Sequence, residues 1–541
     1  MRITHFLGAL AGMALVSAAQ AQDQAVSASA PAAALAQMPV KRTGSTADHS
    51  KFESLKGPFA SAPEVTKACV ACHTEASKEV MKSIHWTWAT THPGSGQELG
   101  KIQTMNSFCG SPLSNEPRCT SCHVGYGWTD LRQPPPSAET QVDCLVCHET
   151  SGTYKKIATD AGHPLYEPRM IGGKLVKPPD LAKIAQSVGA TRRENCGACH
   201  FSGGGGDAVK HGDLDSSLSQ PSRALDVHMA FDGPNMTCAT CHTFNSHIPS
   251  GSRYTTRASD PHGLDLPKDD RDRATCQSCH GEKPHTQSKL NDHTDRIACQ
   301  TCHIPEFARG GIATKMVWDW SVAGRKDAAG KPIFVKDDKG HLIYSAEKGR
   351  FEYGENVRPV YKWFNGNITQ TTILDTIDDS KILVLNRLGG SANDNASRIW
   401  PFKEMKGKQP YDPEAKRLVV NHVFGNDGTA FWTNFNMENA VRFGMEYAQL
   451  PWSGRVGFIE TRMYWPITHM VAPKDKAVPC VECHTSSPQG RLAGLPGVYL
   501  PGRDGSLLLD ILGVLAFIGV FVGVFVHALL RILLKPQEKS T

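Results

Sequence analysis

The chain is short of the apolar residues that its length calls for. At 541 residues it has room for two to four domains, yet only 40% of it is hydrophobic, too little for side chains alone to fill that many ordinary cores. It also has no block of Lys and Arg. Its 58 basic and 53 acidic residues leave a formal charge of +5 with no contiguous cationic stripe, so nucleic acid is not an expected partner. No element recurs at a fixed period, which excludes a solenoid. Long apolar runs are confined to the two ends. Something other than side chains must occupy the interior.

Both ends read as addresses. Residues 1–21 combine Arg2, an apolar run over 6–16 and the Ala19-Gln20-Ala21 ending of a secretory signal peptide. Residues 22–60, rich in Ala, Ser and Gln, read as a flexible leader. At the other end, residues 506–534 are almost wholly apolar, interrupted by Asp510, His527 and Arg531. At about 1.5 Å per residue this run spans a hydrocarbon core of roughly 30 Å. Arg531, Lys535 and Lys539 then place the tail, 535–541, in the cytoplasm. The expectation is a single-pass protein whose bulk lies on the periplasmic side of the bacterial inner membrane.

Between these ends the sequence Cys-x-x-Cys-His occurs eight times. It appears at Cys69/Cys72/His73, Cys119/Cys122/His123, Cys144/Cys147/His148 and Cys196/Cys199/His200. It returns at Cys238/Cys241/His242, Cys276/Cys279/His280, Cys299/Cys302/His303 and Cys480/Cys483/His484. Two thiols at this spacing can add to the two vinyl groups of one porphyrin, and the adjacent His then reaches the iron. A single copy would also suit a redox dithiol or half a zinc site. Eight copies, all followed by His in an exported chain, point to eight covalently bound haem c groups. Their flat apolar rings would supply the missing interior, and their propionates would partner many of the Lys and Arg residues. Seven motifs fall in a region spanning 61–303; the eighth lies in a region spanning 304–505, where residues 437–447 and 457–470 read as helices. The expected fold is mainly α, with eight haems packed in a helical, loop-rich domain. The closely spaced motif pairs Cys119/Cys144 and Cys276/Cys299 are expected to bring haems together.

Eight irons need eight sixth ligands unless some are open. Position relative to the motifs favours His85, His211, His228, His247, His285, His293 and His469, with His92, His163, His262 and His422 in reserve. His49 in the leader and His527 in the anchor are poor candidates. Seven histidines for eight irons leave one iron different. An iron whose sixth position is open or weakly held can bind substrate, whereas one held by two histidines passes electrons.

One cysteine, Cys109, is left over in Asn106-Ser107-Phe108-Cys109, ten residues before the second motif. At this point the chain resembles the octahaem tetrathionate reductase family of c-type cytochromes. The likeness is carried by EVMKSIHWTW (79–88), GGGGDAVKHGD (203–213) and NDHTDRIACQTCHIP (291–305), and extends over about residues 50–500. The C-terminal anchor is a departure from the soluble members. The resemblance implies seven irons with two histidines each and a second haem with a lysine ligand, here Lys210. It places Asn106, Cys109 and a second lysine, Lys289 (Lys283 being close by), around a substrate cavity. A desolvated amine loses its proton readily and can then bind iron. A protonated lysine attracts an anion, and a thiolate exchanges with a sulfur–sulfur bond. The expectation is therefore a reductase of tetrathionate, nitrite or hydroxylamine, fed by a quinol-linked or cytochrome donor. The alternative is an electron relay with no substrate of its own. Hydroxylamine oxidation would need a tyrosine-crosslinked haem, and no Tyr is singled out for it.

Overall fold

The computed structural model describes residues 47–92, 95–252, 274–500 and 503–534. The signal peptide and most of the leader lie outside these residues, as does His262. Within the stretch read as leader, Asp48 caps a 3-10 turn at His49–Lys51, and a second turn, Glu53–Leu55, follows. Leu55 is buried with Val65, Leu145, Leu181 and Ile184.

The described residues before 304 are built from short helices, turns and loops, with two-stranded ribbons between them. Many of these helices are single turns that carry the Cys-x-x-Cys-His motifs. The region beyond 304 is different and overturns the mainly α expectation. It holds nine strands in one sheet: β1 (Thr314–Asp319), β2 (Phe334–Lys336), β3 (Leu342–Ser345), β4 (Gly349–Gly354), β5 (Val360–Phe364), β6 (Leu383–Val384), β7 (Arg398–Asp412), β8 (Arg417–Leu418) and β9 (Gly457–Pro466). The main path runs β6-β9-β7-β1-β4-β3-β2, and β5 and β8 also pair with β7. β7 pairs antiparallel with β9, from Phe402 opposite Pro466 to Tyr411 opposite Gly457, and parallel with β1.

The cause lies in side-chain periodicity. In β9, Ile459, Thr461, Met463 and Trp465 are buried, while Glu460, Arg462 and Tyr464 between them are more open. That period of two, with β-branched and aromatic residues, selects a strand, so the helix expected over 457–470 is not formed. The helix expected over 437–447 is present as Met437–Tyr447, capped by Asn436 and burying Ala440, Val441, Gly444 and Met445 along one side. It packs on the main core together with Trp318, Trp320, Met405, Phe431, Met463 and Trp465.

After the sheet, Leu507–Leu533 forms one 27-residue helix of mean hydropathy 2.6, long and apolar enough to cross a membrane, with none of its apolar window buried in the protein. Two outcomes follow. Phe402→Ala, at a fully buried position beside Phe364 and Tyr464, costs about 3–5 kcal/mol in chemical denaturation. Truncation after residue 505 leaves a soluble, fully folded remainder with unchanged visible absorption, because the helix buries nothing against the rest of the chain.

Candidate functional site

Each motif sits on about one turn of helix. The first lies at the end of Ala62–Val70, the fourth in Arg193–His200 and the seventh in Cys299–His303. One turn brings residues three apart to the same side, so the two thiols of each motif face one way. None of the 17 cysteines is in a disulfide.

Seven of the eight motif histidines face a second imidazole. Ring centres are 6.3 Å apart for His73 and His49, 6.2 Å for His200 and His85, and 6.5 Å for His148 and His247. They are 6.3 Å apart for His242 and His469, 5.9 Å for His280 and His228, 5.9 Å for His303 and His285, and 6.0 Å for His484 and His293. Two metal–nitrogen bonds of roughly 2 Å plus the two half-rings give a span of roughly 6 Å. The pairs are spaced to hold a metal between them. No group of three or more His, Cys, Asp or Glu side chains suited to a metal occurs among the described residues.

The second imidazoles are oriented from behind. The Nδ1 of His247 donates to Glu79 Oε2 (2.6 Å), that of His293 to the Lys289 carbonyl (2.7 Å), and that of His469 to Asp213 Oδ2 (3.2 Å). His285 Nδ1 donates to Asn291 Oδ1 at 3.2 Å. Each bond fixes the tautomer that leaves Nε2 as the lone-pair donor. Burial, with Lys210 nearby, pulls the His200 imidazole down to about 3, so that ring is a neutral donor.

The structure thus brings His85, His228, His247, His285, His293 and His469 to motif histidines. It does not do so for His211, which packs edge-on against Trp465 at 4.9 Å. His49, set aside from the sequence, faces His73 instead. Of the reserves, His163 stacks on Tyr126 at 5.1 Å, His92 is buried with its Nδ1 accepting from Ser95 N, and His422 meets the Ser114 carbonyl.

The motifs also touch one another. Thiol contacts join Cys69 with Cys144, Cys122 with Cys199, Cys196 with Cys238 and Cys276 with Cys299. Cys147 lies near Cys196, Cys241 near Cys276, and Cys302 near both Cys480 and Cys483. In motif order this is a continuous row, 1-3-4-5-6-7-8, with motif 2 attached beside motif 4. The expected neighbours Cys276 and Cys299 are in contact, whereas Cys144 meets Cys69 rather than Cys119.

Three motif thiols, Cys72, Cys119 and Cys279, are not part of this row among the described residues. Of these, Cys72 is exposed and Cys279 is half-buried. Both sit at the outer end of a motif turn. Backbone bonds run from Cys72 N to the Cys69 carbonyl (3.1 Å) and from Cys279 N to the Cys276 carbonyl (3.3 Å). Their assignment rests on the spacing of the motif.

His123 is the exception among the motif histidines. No second imidazole faces it among the described residues; Trp86, Trp128 and Trp88 surround it at 4.8, 4.9 and 5.5 Å between ring centres. Its Nε2 meets the Trp86 carbonyl at 2.8 Å, while its Nδ1 is buried with no hydrogen-bond partner. Burial pulls this ring down to about 3, leaving a neutral imidazole with one unengaged nitrogen, which fits an iron ligand. Behind it, Lys156 Nζ donates to the His123 carbonyl and pairs with buried Asp143 at 3.2 Å. Tyr126 and Tyr154 hydroxyls donate to the same carboxylate at 2.7 and 3.0 Å.

Asn106 and Cys109 lie on a tight loop closed by an Asn106–Gly110 bridge. Gly110 has φ +110°, and a Cβ there would lie 2.7 Å from Asn421 Oδ1, so only glycine makes this turn. Gln409 Nε2 donates to the Asn106 carbonyl at 2.6 Å. Cys109 is only partly buried and packs on the main core. Lys210 follows the glycine loop after motif 4, with its Nζ 5.3 Å from the Trp465 ring centre. Fully buried Lys403 holds that loop by donating to the Val209 and Lys210 carbonyls (2.9 and 3.1 Å) and to Thr314 Oγ1 (2.6 Å). Lys289 is exposed on the Ser288–His293 turn. Burial pushes the Cys109 thiol up, against the opposing charges of Lys348, Arg118 and Lys315. Sequence reasoning passed over Lys315 and Lys403; alternation along β1 and β7 was the available cue.

A family model described as bacterial cytochrome c matches residues 315–487. The crystal structure of an octaheme cytochrome c from Shewanella oneidensis superimposes with a TM-score of 0.72 and is 39% identical, covering 84% of this chain and 97% of that chain. No curated protein sequence matches. Both comparisons agree with haem c as the group that these motifs hold. Asp143→Asn strands the Lys156 ammonium in a buried position and is expected to cost about 3–5 kcal/mol in chemical denaturation, with Lys156→Met costing a similar amount.

Proposed function

The chain belongs to the octahaem tetrathionate reductase family of multihaem c-type cytochromes, and on that premise we propose that it carries eight haems and reduces a small sulfur or nitrogen compound at the His123 site. Tetrathionate, nitrite and hydroxylamine are the candidate substrates. The C-terminal helix would hold the protein at the periplasmic face of the inner membrane, where a quinol-linked or cytochrome donor supplies electrons.

A haem iron passes single electrons when both axial positions are held by imidazole, and binds a small molecule where one is not. The observation that carries the reading is the contrast between seven imidazole pairs and the lone imidazole of His123. The seven pairs suit conduction along the row of motifs; motif 2 stands beside the row and suits chemistry. Lys210 is assigned as the sixth ligand there, on a loop that Lys403 fixes by two carbonyls. Asn106 and Cys109 then line the substrate site, with the partly exposed thiol available for exchange with a sulfur–sulfur bond.

A second reading, an electron relay without its own substrate, is favoured by the row of neighbouring motifs from 1 to 8. Magnetic resonance of the ferric protein separates the two. Lys210→Ala is expected to change the signal of one haem and to let nitrite perturb it more strongly. Unchanged spectra with every candidate substrate and in the variant would leave the relay. Cys109→Ser is expected to lower tetrathionate turnover at least tenfold more than nitrite turnover; equal losses would remove thiol exchange from the mechanism.

A further inference from the structure

Three cations converge on Cys109, and among the described residues none is answered by a carboxylate. Arg118, Lys315 and Lys348 each act electrostatically on the thiol. Their side chains rest on aromatic faces instead. Lys315 Nζ lies 3.6 Å from the Phe351 ring centre and 4.3 Å from that of Trp318. Lys348 Nζ and the Arg118 guanidinium lie 5.2 and 5.0 Å from one ring, Trp432. No hydrogen bond or ion pair of these three side chains occurs among the described residues. Glu116, close in sequence, is buried and turned to the N–H groups of Ser114 and Leu131 (both 3.3 Å).

Lys315 is the telling member. It is 6% exposed on the central strand β1, and burial and the Lys348 charge pull its ammonium down to about 7, against the pull of Cys109. Aromatic faces compensate a buried ammonium only in part. Three like charges drawn together at one half-open thiol repel one another unless an anion joins them. The cluster comes from three separated segments: the helix of motif 2, β1, and the turn between β3 and β4. Their meeting is a product of the sheet, whose strands bring Lys315 and Lys348 to the aromatic core against which Cys109 packs.

We propose that Arg118, Lys315 and Lys348 form an oxyanion-recognition subsite that holds a doubly charged substrate against Cys109 and discriminates it from neutral ones. This deepens the reductase reading above and rests on it. The aromatic walls leave the charges poorly hydrated, so they favour a large, diffuse sulfur oxyanion over a small hydrated ion. A neutral molecule such as hydroxylamine gains nothing from them.

In the haem-loaded protein Cys109 is the one thiol outside the motifs, so alkylation by neutral iodoacetamide reports on it alone. Sodium sulfate, compared with sodium chloride at equal ionic strength, is expected to slow this alkylation in the wild type. Lys315→Gln, Lys348→Gln and Arg118→Gln should each raise the half-protecting sulfate concentration about tenfold, and Lys348→Arg should restore protection. Lys381→Gln, at an exposed lysine paired with Asp378, should behave as wild type. In turnover, the three neutral variants should raise KM for tetrathionate about tenfold while KM for hydroxylamine stays unchanged. Visible spectra and thermal midpoints identify variants that fail to fold; there, the single-charge variant Arg118→Gln carries the test. If the cations serve haem propionates, the variants shift haem potentials and leave sulfate protection intact, which overturns the proposal. Because protection is read without turnover, sulfate dependence with no reductase activity would retain the subsite and remove the reductase reading.

Discussion

Pairs of imidazoles held about six ångströms apart are the constraint on which the motif-bearing half of the chain depends. An ordinary core is unable to keep such a spacing, because side chains close-pack to the density of organic crystals. Short helical turns and glycine loops therefore replace long elements, and hydrogen bonds to Glu79, Asn291, Asp213 and the Lys289 carbonyl hold the rings in place. The low hydrophobic content has the same origin. Apolar surface that side chains would otherwise supply is left to the bound ring.

The sheet meets a different demand. It has to support irregular loops beside one motif without interrupting the row formed by the others. β7 does this by running through the middle of the C-terminal half, with Lys403 reaching back to the Lys210 loop and Gln409 to the Asn106 loop. The two loops that differ most from the other motif surroundings are thus pinned to the same strand. Rigid scaffold and irregular site are joined through side chains rather than through packing alone.

The attachment motifs were fully legible in the sequence because covalent chemistry fixes their spacing. The helix Met437–Tyr447 was legible too, through an Asn cap and a buried stripe. β7 was not. Its Pro401, Gly407 and Pro410 and its three lysines argue against a central strand, yet the Pro401 carbonyl still accepts from Ile467 N at 3.1 Å, and Lys403 is stabilised by distant carbonyl partners. The imidazole pairing was legible only in part. Proximity to a motif in sequence served to nominate histidines, but His85 faces His200 and His247 faces His148, each across motifs lying between them in the chain. His49 offers no local pattern at all; its role is visible only once His73 is beside it.

The reach of these pairs in the chain varies widely. His285 and His303 are near neighbours, as are His49 and His73, whereas His469 returns to His242 and His484 to His293 from the far side of the sheet. If a metal joins each pair, the short loops close early and cheaply, and the long ones act as staples across the whole chain. A protein without a single disulfide would then owe its resistance to unfolding to coordinate crosslinks, and its denatured state would remain a set of knotted loops for as long as the iron stayed bound.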